Sequence, residues 1–292
     1  MVNPGAQRLA VAALIFNAFV WGISWWPFRL LQGYGLHPLW ATALMYWFAT
    51  LCIVVYRPKA WRSLLGSPIL WLLALAAGLT NIGFNWAVTI GDVVRVVLLF
   101  YLMPAWSVLL AWPVLGERPT GVSLLRLSLA LFGVLLVLKT PQNPWPLPSS
   151  LADYLALMGG LCFALTNILL RKLNQTSSSS RMMAMFGGGA LTATALAVSG
   201  VHGGWVNALP SVNPGWLIPA SVLAVLFLVG NLALQYGAAR LRASTTALVM
   251  LCEIIFASLS SVALGASVLE PRLLWGAALI FLAAIHAAGS ER

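Results

Sequence analysis

Apolar residues in this chain come in ten long runs, at about 9–31, 39–56, 68–90, 93–115, 121–138, 152–172, 182–200, 214–236, 243–265 and 272–288. A bilayer core about 30 Å thick takes about 20 helical residues at 1.5 Å each, so each run has the length of a membrane-spanning helix. Barrel strands alternate apolar and polar over about ten residues, and these runs do not. The first run is longer than the 7–15 residues of a signal-peptide core and is read as a retained helix. Turn-forming stretches separate the runs: GYGLHP at 33–38, GERPTG at 116–121 and the proline-rich TPQNPWPLPSS at 140–150. The last of these divides the chain into five runs in residues 1–140, a connection at 141–150, and five runs in residues 151–292. The expected fold is an all-α integral membrane protein with ten transmembrane helices.

Polar residues inside the runs add a second layer. NIGFNWAV at 81–88 places Asn81 and Asn85 one turn apart on one helix face. An unpaired amide is costly in hydrocarbon, so this face turns inward, toward solute or another helix. Displaced by 150 residues, NIGFNWAV falls on NLALQYGA at 231–238, and Asn81 meets Asn231, Asn85 meets Gln235 and Trp86 meets Tyr236. The same displacement sets LLFYLMPAWSVLLAWPVLGE (98–117) on LVMLCEIIFASLSSVALGAS (248–267), and 142 residues sets WGISWWPFR (21–29) on FALTNILLR (163–171). Matches in this order point to two five-helix repeats. An odd number of spans inverts the second copy, and inverted repeats place a site at their interface near the midplane. Asn81 and Asn85 are then expected to look across the repeat axis toward Asn231 and Gln235.

Composition agrees with a bilayer. The 292 residues are 61% hydrophobic and 8% charged, with a mean hydropathy of +0.93, where a soluble domain is about 25% charged. The net charge of +10 does not call for nucleic acid, because Lys and Arg gather in cytoplasmic loops. With the N-terminus in the cytoplasm, twelve bases fall inside and only Arg29, Arg95, Lys139 and Arg272 fall outside. Both termini are therefore expected to be cytoplasmic, in the cell's inner (plasma) membrane. The expected partners are the lipid bilayer and a small-molecule substrate, with no nucleic acid, and a monomer suffices. Cys52, Cys162 and Cys252 lie far apart inside apolar runs and read as small buried hydrophobes. No metal or cofactor is expected. There is no Walker motif, so ATP does not drive the protein directly.

PVLGERPT at 113–120, after a helix with a mid-span proline, and WGISWWPFR in the opening helix resemble the drug/metabolite transporter superfamily, in its two-repeat, ten-helix branch. Within it the pattern is similar to bacterial amino-acid exporters, the aromatic amino acid exporters in particular. The resemblance implies export of a small solute. It covers nearly the whole chain, but the family's mid-helix Glu-Pro pair is replaced by Met103-Pro104 in one half and Glu253-Ile254 in the other.

The residues themselves name candidates. Glu253 is the acid near the middle of a span, where an ionisable group costs several kcal/mol. It reads as a coupling group or polar gate, or as a neutral acid bonded to a neighbouring helix. Asn17 with Trp21, Asn81 with Asn85, Phe163 with Asn167, and Asn231 with Gln235 form polar or amphipathic faces. Carboxamides both donate and accept, which suits a zwitterion, and they also bridge membrane helices. Pro104 removes a backbone hydrogen bond, giving a hinge or a fixed kink, with Tyr101 one turn before it. Trp21, Tyr46, Trp86, Phe100 and Tyr101 are deep enough to wall an aromatic pocket. No Lys or Arg lies at a span centre, which disfavours phosphorylated substrates. Alternating-access transport of neutral or zwitterionic solutes, amino acids first, is the leading reading. Export of amphipathic drugs, a non-transport membrane subunit and a membrane-embedded enzyme are the alternatives.

Overall fold

A computed structural model describes residues 4–116, 120–139, 147–238, 240–241 and 249–289, and every regular element among them is a helix. The first span is α1 (Pro4–Ile23) followed by α2 (Trp25–Gly33), and the second is α3 (Pro38–Tyr56). After the short α4 (Arg62–Leu65) come α5 (Pro68–Ile90), then α6 (Val93–Phe100) with α7 (Met103–Leu115), then α8 (Gly121–Leu138). The second half holds α9 (Leu151–Lys172), α10 (Ser178–His202), α11 (Pro214–Ala238), α12 (Cys252–Ala263) and α13 (Pro271–Gly289). Seven stretches of the described residues are long and apolar enough to cross a membrane, and three apolar helices, Leu127–Leu138, Cys252–Ala263 and Pro271–Leu282, are shorter. Most of the proline-rich connection, the Glu117–Pro119 part of GERPTG and residues 242–248 of the ninth run lie outside the described residues.

Helix boundaries follow the local chemistry. Pro38, Pro68, Pro214 and Pro271 each open a helix, where the missing N–H has no intrahelical partner to lose. Asp92, Ser150 and Ser177 cap α6, α9 and α10 by accepting from the amides of Arg95, Asp153 and Ser180. Gly116 ends α7 at φ 75°, a left-handed conformation that favours glycine.

Two spans that the hydropathy pattern predicts as continuous are broken. The first is interrupted at Ser24, whose hydroxyl donates to the Trp21 carbonyl at 2.7 Å. Pro27 lies one turn further on and cannot donate to the Ile23 carbonyl. The fourth is interrupted at Tyr101 and Leu102, and Pro104 sits in the first turn of α7. The expected mid-span proline is thus a helix starter, and it leaves the Phe100 carbonyl without its helical donor.

The bundle packs at small residues. α5 lies against α3, α9 and α10; α1 lies against α11 and α12; α9 also meets α6 and α7; α3 meets α10, and α8 meets α13. With no hydrophobic force between helices in lipid, close van der Waals approach does much of the holding. A methyl on Gly188 would collide with the Ala74 backbone, and one on Gly160 with the Phe100 carbonyl. A methyl on Gly83 would lie 2.6 Å from the Leu155 carbonyl oxygen, and one on Gly133 2.9 Å from that of Gly276. Each glycine therefore sets a backbone-to-backbone distance that alanine does not allow.

Candidate functional site

Aromatic side chains from five helices form a row through the core. Phe227 of α11 meets Trp21 of α1 with ring centroids 4.7 Å apart, and Trp21 meets Phe84 of α5 at 5.6 Å. Phe84 meets Phe100 of α6 at 4.8 Å, and Phe100 meets Phe163 of α9 at 5.5 Å. Most of these contacts are edge-to-face, the geometry that ring quadrupoles favour. Trp21 and Phe100 were legible as wall residues, and Phe163 as part of an amphipathic face with Asn167. Phe84 and Phe227 were not, because a phenylalanine in an apolar run carries no signal of its own. Tyr46 and Trp86 lie elsewhere: Tyr46 packs on Phe186 at 5.5 Å, and Trp86 stacks on Trp205 at 5.8 Å.

Polar groups border this row. Asn17, one turn before Trp21, is fully buried; its amide is 3.5 Å from Met250 Sδ, and its Oδ1 accepts from no protein donor. Tyr101 continues from Phe100, and its hydroxyl lies 2.8 Å from Glu253 Oε2 and 3.1 Å from the Met250 carbonyl oxygen. One hydroxyl proton faces two acceptors. An ionised Glu253 accepts the hydrogen bond from that hydroxyl, whereas a protonated Glu253 donates to the Tyr101 oxygen and frees its O–H for the Met250 carbonyl. Met250 thus touches both Asn17 and Tyr101, which links α1 to the broken fourth span.

The asparagine pairs do not meet as expected. Asn81 donates to Ala77 O on its own helix at 2.7 Å, and Asn231 donates likewise to Phe227 O at 3.0 Å. Asn85 reaches Thr42 Oγ1 on α3 at 3.1 Å, with its Oδ1 buried and unpartnered, while Gln235 accepts from Ser178 at 3.5 Å. Each finds its partner away from the opposite pair, because α5 is hemmed in by α3, α9 and α10 while α11 lies on α1. Phe163 is half-buried on the row, but Asn167, one turn on, is exposed.

A charged cluster occupies the end of the bundle opposite the termini. Arg29 donates to the carbonyls of Val88 (3.2 Å) and Gly91. Arg95 forks onto Asp153 at 2.7 and 2.9 Å and reaches Val137 O at 2.6 Å. Arg272 forks onto Glu270 at 2.6 and 2.9 Å and donates to Lys139 O at 2.6 Å. The Arg272 guanidinium holds the Glu270 carboxyl below its usual range. The Arg95–Asp153 pair joins the two halves of the chain, with Asp153 only 2% exposed. These interactions tie down Arg29, Arg95 and Arg272, bases that the charge bias leaves outside. Asp153 escaped the sequence reading because it stands at a span's edge, where acids are unremarkable.

No curated protein matches the chain significantly. A solved crystal structure, titled only as that of a protein, aligns over 99% of this chain and 99% of its own, with a TM-score of 0.59 and 17% identity. At that identity the likeness is one of fold. Residues 8–139 of this multi-pass membrane protein match the EamA-like transporter family of the drug/metabolite transporter superfamily.

Proposed function

We propose that the chain is a secondary transporter that exports small neutral or zwitterionic solutes, amino acids including aromatic ones, by alternating access. The observation that carries this reading is Asn17, a fully buried carboxamide whose oxygen has no donor, beside a five-ring aromatic row. An ammonium group supplies the missing donor, and an aromatic or apolar side chain suits the rings. Glu253 with Tyr101 forms the coupling group, Pro104 marks the hinge, and Asn85 Oδ1 adds a second free acceptor.

Two inverted five-helix repeats, with residues 141–150 between them and both termini cytoplasmic in the inner membrane, form its architecture. Its support is that the packing maps onto itself when the halves exchange. α1 against α11 and α12 corresponds to α9 against α5, α6 and α7. The aligned residues Asn81 and Asn231 also make the same bond, to aligned positions 77 and 227.

The test is uptake of labelled L-phenylalanine, and of an amphipathic cation as the competing cargo, into liposomes holding the purified protein, with and without a pH gradient. Phenylalanine is expected to move faster than into empty liposomes, and Glu253→Gln is expected to abolish gradient dependence. Phenylalanine uptake no faster than in empty liposomes would sink the amino-acid reading. Coupling unchanged in Glu253→Gln would remove Glu253 from the mechanism.

A further inference from the structure

A cavity of about 300 Å³ opens at the charged end, away from the aromatic row, lined by Asp92, Arg95, Ser267, Glu270 and Arg272 among others. That volume is at the small end of ligand sites. Its walls come from both halves: Asp92 and Arg95 from the start of α6, and the rest from the turn between α12 and α13 and the first turn of α13. Ser267 is 7% exposed, and its hydroxyl is buried with no hydrogen-bond partner. Buried polar groups are ordinarily satisfied, so this orphan on a cavity wall points to a ligand.

The charges define the ligand's class. Three guanidiniums (Arg29, Arg95, Arg272) and three carboxylates (Asp92, Asp153, Glu270) make up the cluster, so its net charge is zero. A simple anion meets forks whose Nε and Nη2 edges already hold carboxylates. A simple cation meets two guanidiniums on the same wall. A solute carrying both signs a few ångströms apart can offer its ammonium to Asp92 or Glu270. Its carboxylate can then take the remaining guanidinium N–H groups and the Ser267 hydroxyl.

We propose that this cavity is a second binding site, for a zwitterionic solute, at the end of the bundle opposite the termini. It deepens the transport reading by giving the solute a station beyond the core, and its wall residue Arg95 couples occupancy to the Arg95–Asp153 contact between the halves.

The experiment is equilibrium binding of radiolabelled L-phenylalanine, at up to millimolar concentration, to the purified full-length protein in detergent. Ser267→Trp fills the cavity and is expected to lose one bound equivalent relative to wild type. Ser267→Ala keeps the space and removes only the hydroxyl. It is expected to weaken that equivalent by about three- to tenfold, the loss of one hydrogen bond, and it serves if the tryptophan variant does not fold. Phenethylamine and 3-phenylpropionate, which carry one charge each, are expected to displace this equivalent poorly. The proposal is overturned if wild type binds nothing, if both variants bind as wild type does, or if either single-charge analogue displaces as well as phenylalanine. Liposome uptake that fails while a Ser267-dependent equivalent persists sinks the transport reading alone. Uptake that proceeds while both variants bind normally sinks this site alone.

Discussion

Arg95 and Asp153 make the sharpest energetic test of the fold. The carboxylate is 2% exposed and the guanidinium 13%. Asp153 accepts from Arg95 Nε and Nη2 and from the Ser149 amide at 2.7, 2.9 and 3.0 Å, while Arg95 keeps one other partner, Val137 O. Removing one member of a buried pair leaves the other uncompensated, which costs about 3–5 kcal/mol. Asp153→Ala strands a guanidinium on a single carbonyl, and Arg95→Ala strands a carboxylate on the Ser149 amide. The double variant strands no charge, so its cost is expected to be no more than that of either single change. The coupling energy is then at least about 3–5 kcal/mol, far above the roughly 0.5 kcal/mol within which independent sites add. Reversible unfolding in mixed micelles, followed by tryptophan fluorescence for wild type and the three variants, measures it. A coupling below about 0.5 kcal/mol would refute the reasoning, since it would place the pair with solvent-screened surface bridges.

Gly188→Ala is expected to push α10 off the Ala74 backbone and to destabilise by about 1–3 kcal/mol. Gly187→Ala, where the nearest atom to a new methyl is 3.7 Å away, is the tolerated control; equal melting of the two variants would remove glycine packing as the cause. Burial holds the His37 imidazole, which lies outside the spans, below its ordinary value of 6.5. Its Nδ1 accepts from the Leu39 amide at the start of α3. The neutral ring's contribution is full above the unfolded value, about 6.5, and declines as the pH falls from there through the depressed folded value. Wild type is therefore expected to lose stability between about pH 7 and 5 more steeply than His37→Gln, and identical pH slopes would refute this.

The spans were legible in the sequence because the bilayer sets a length and hydrocarbon sets a composition, both of which a linear reading sees. The breaks were half legible. Pro104 stood out in its run, but Pro27 follows the tryptophans of WGISWWPFR, and its effect depends on Ser24 taking the Trp21 carbonyl. The choice of partners was the least legible. Asn81 looks like Asn85 in sequence, yet one bonds back to its own helix and the other crosses to Thr42. Which acceptor a carboxamide finds depends on helix rotation and on glycine-set distances, and neither is written at the residue itself. The Tyr101–Glu253 contact, 152 positions apart, shows the same limit.

The two broken spans turn their upper pieces into short levers. α2 carries Arg29 and α6 carries Arg95, so these two fastenings of the charged end ride on short rods that end at a helix break just below them. At 1.5 Å per residue, Arg95 stands about 9 Å above the break at Tyr101, and a tilt of roughly 10° there carries it about 1.6 Å sideways. That swing stretches a 2.7 Å bond to Asp153 beyond any useful length. The charged end can therefore unfasten by a small pivot of two rods, while the glycine-packed faces of α5, α9 and α10 stay seated.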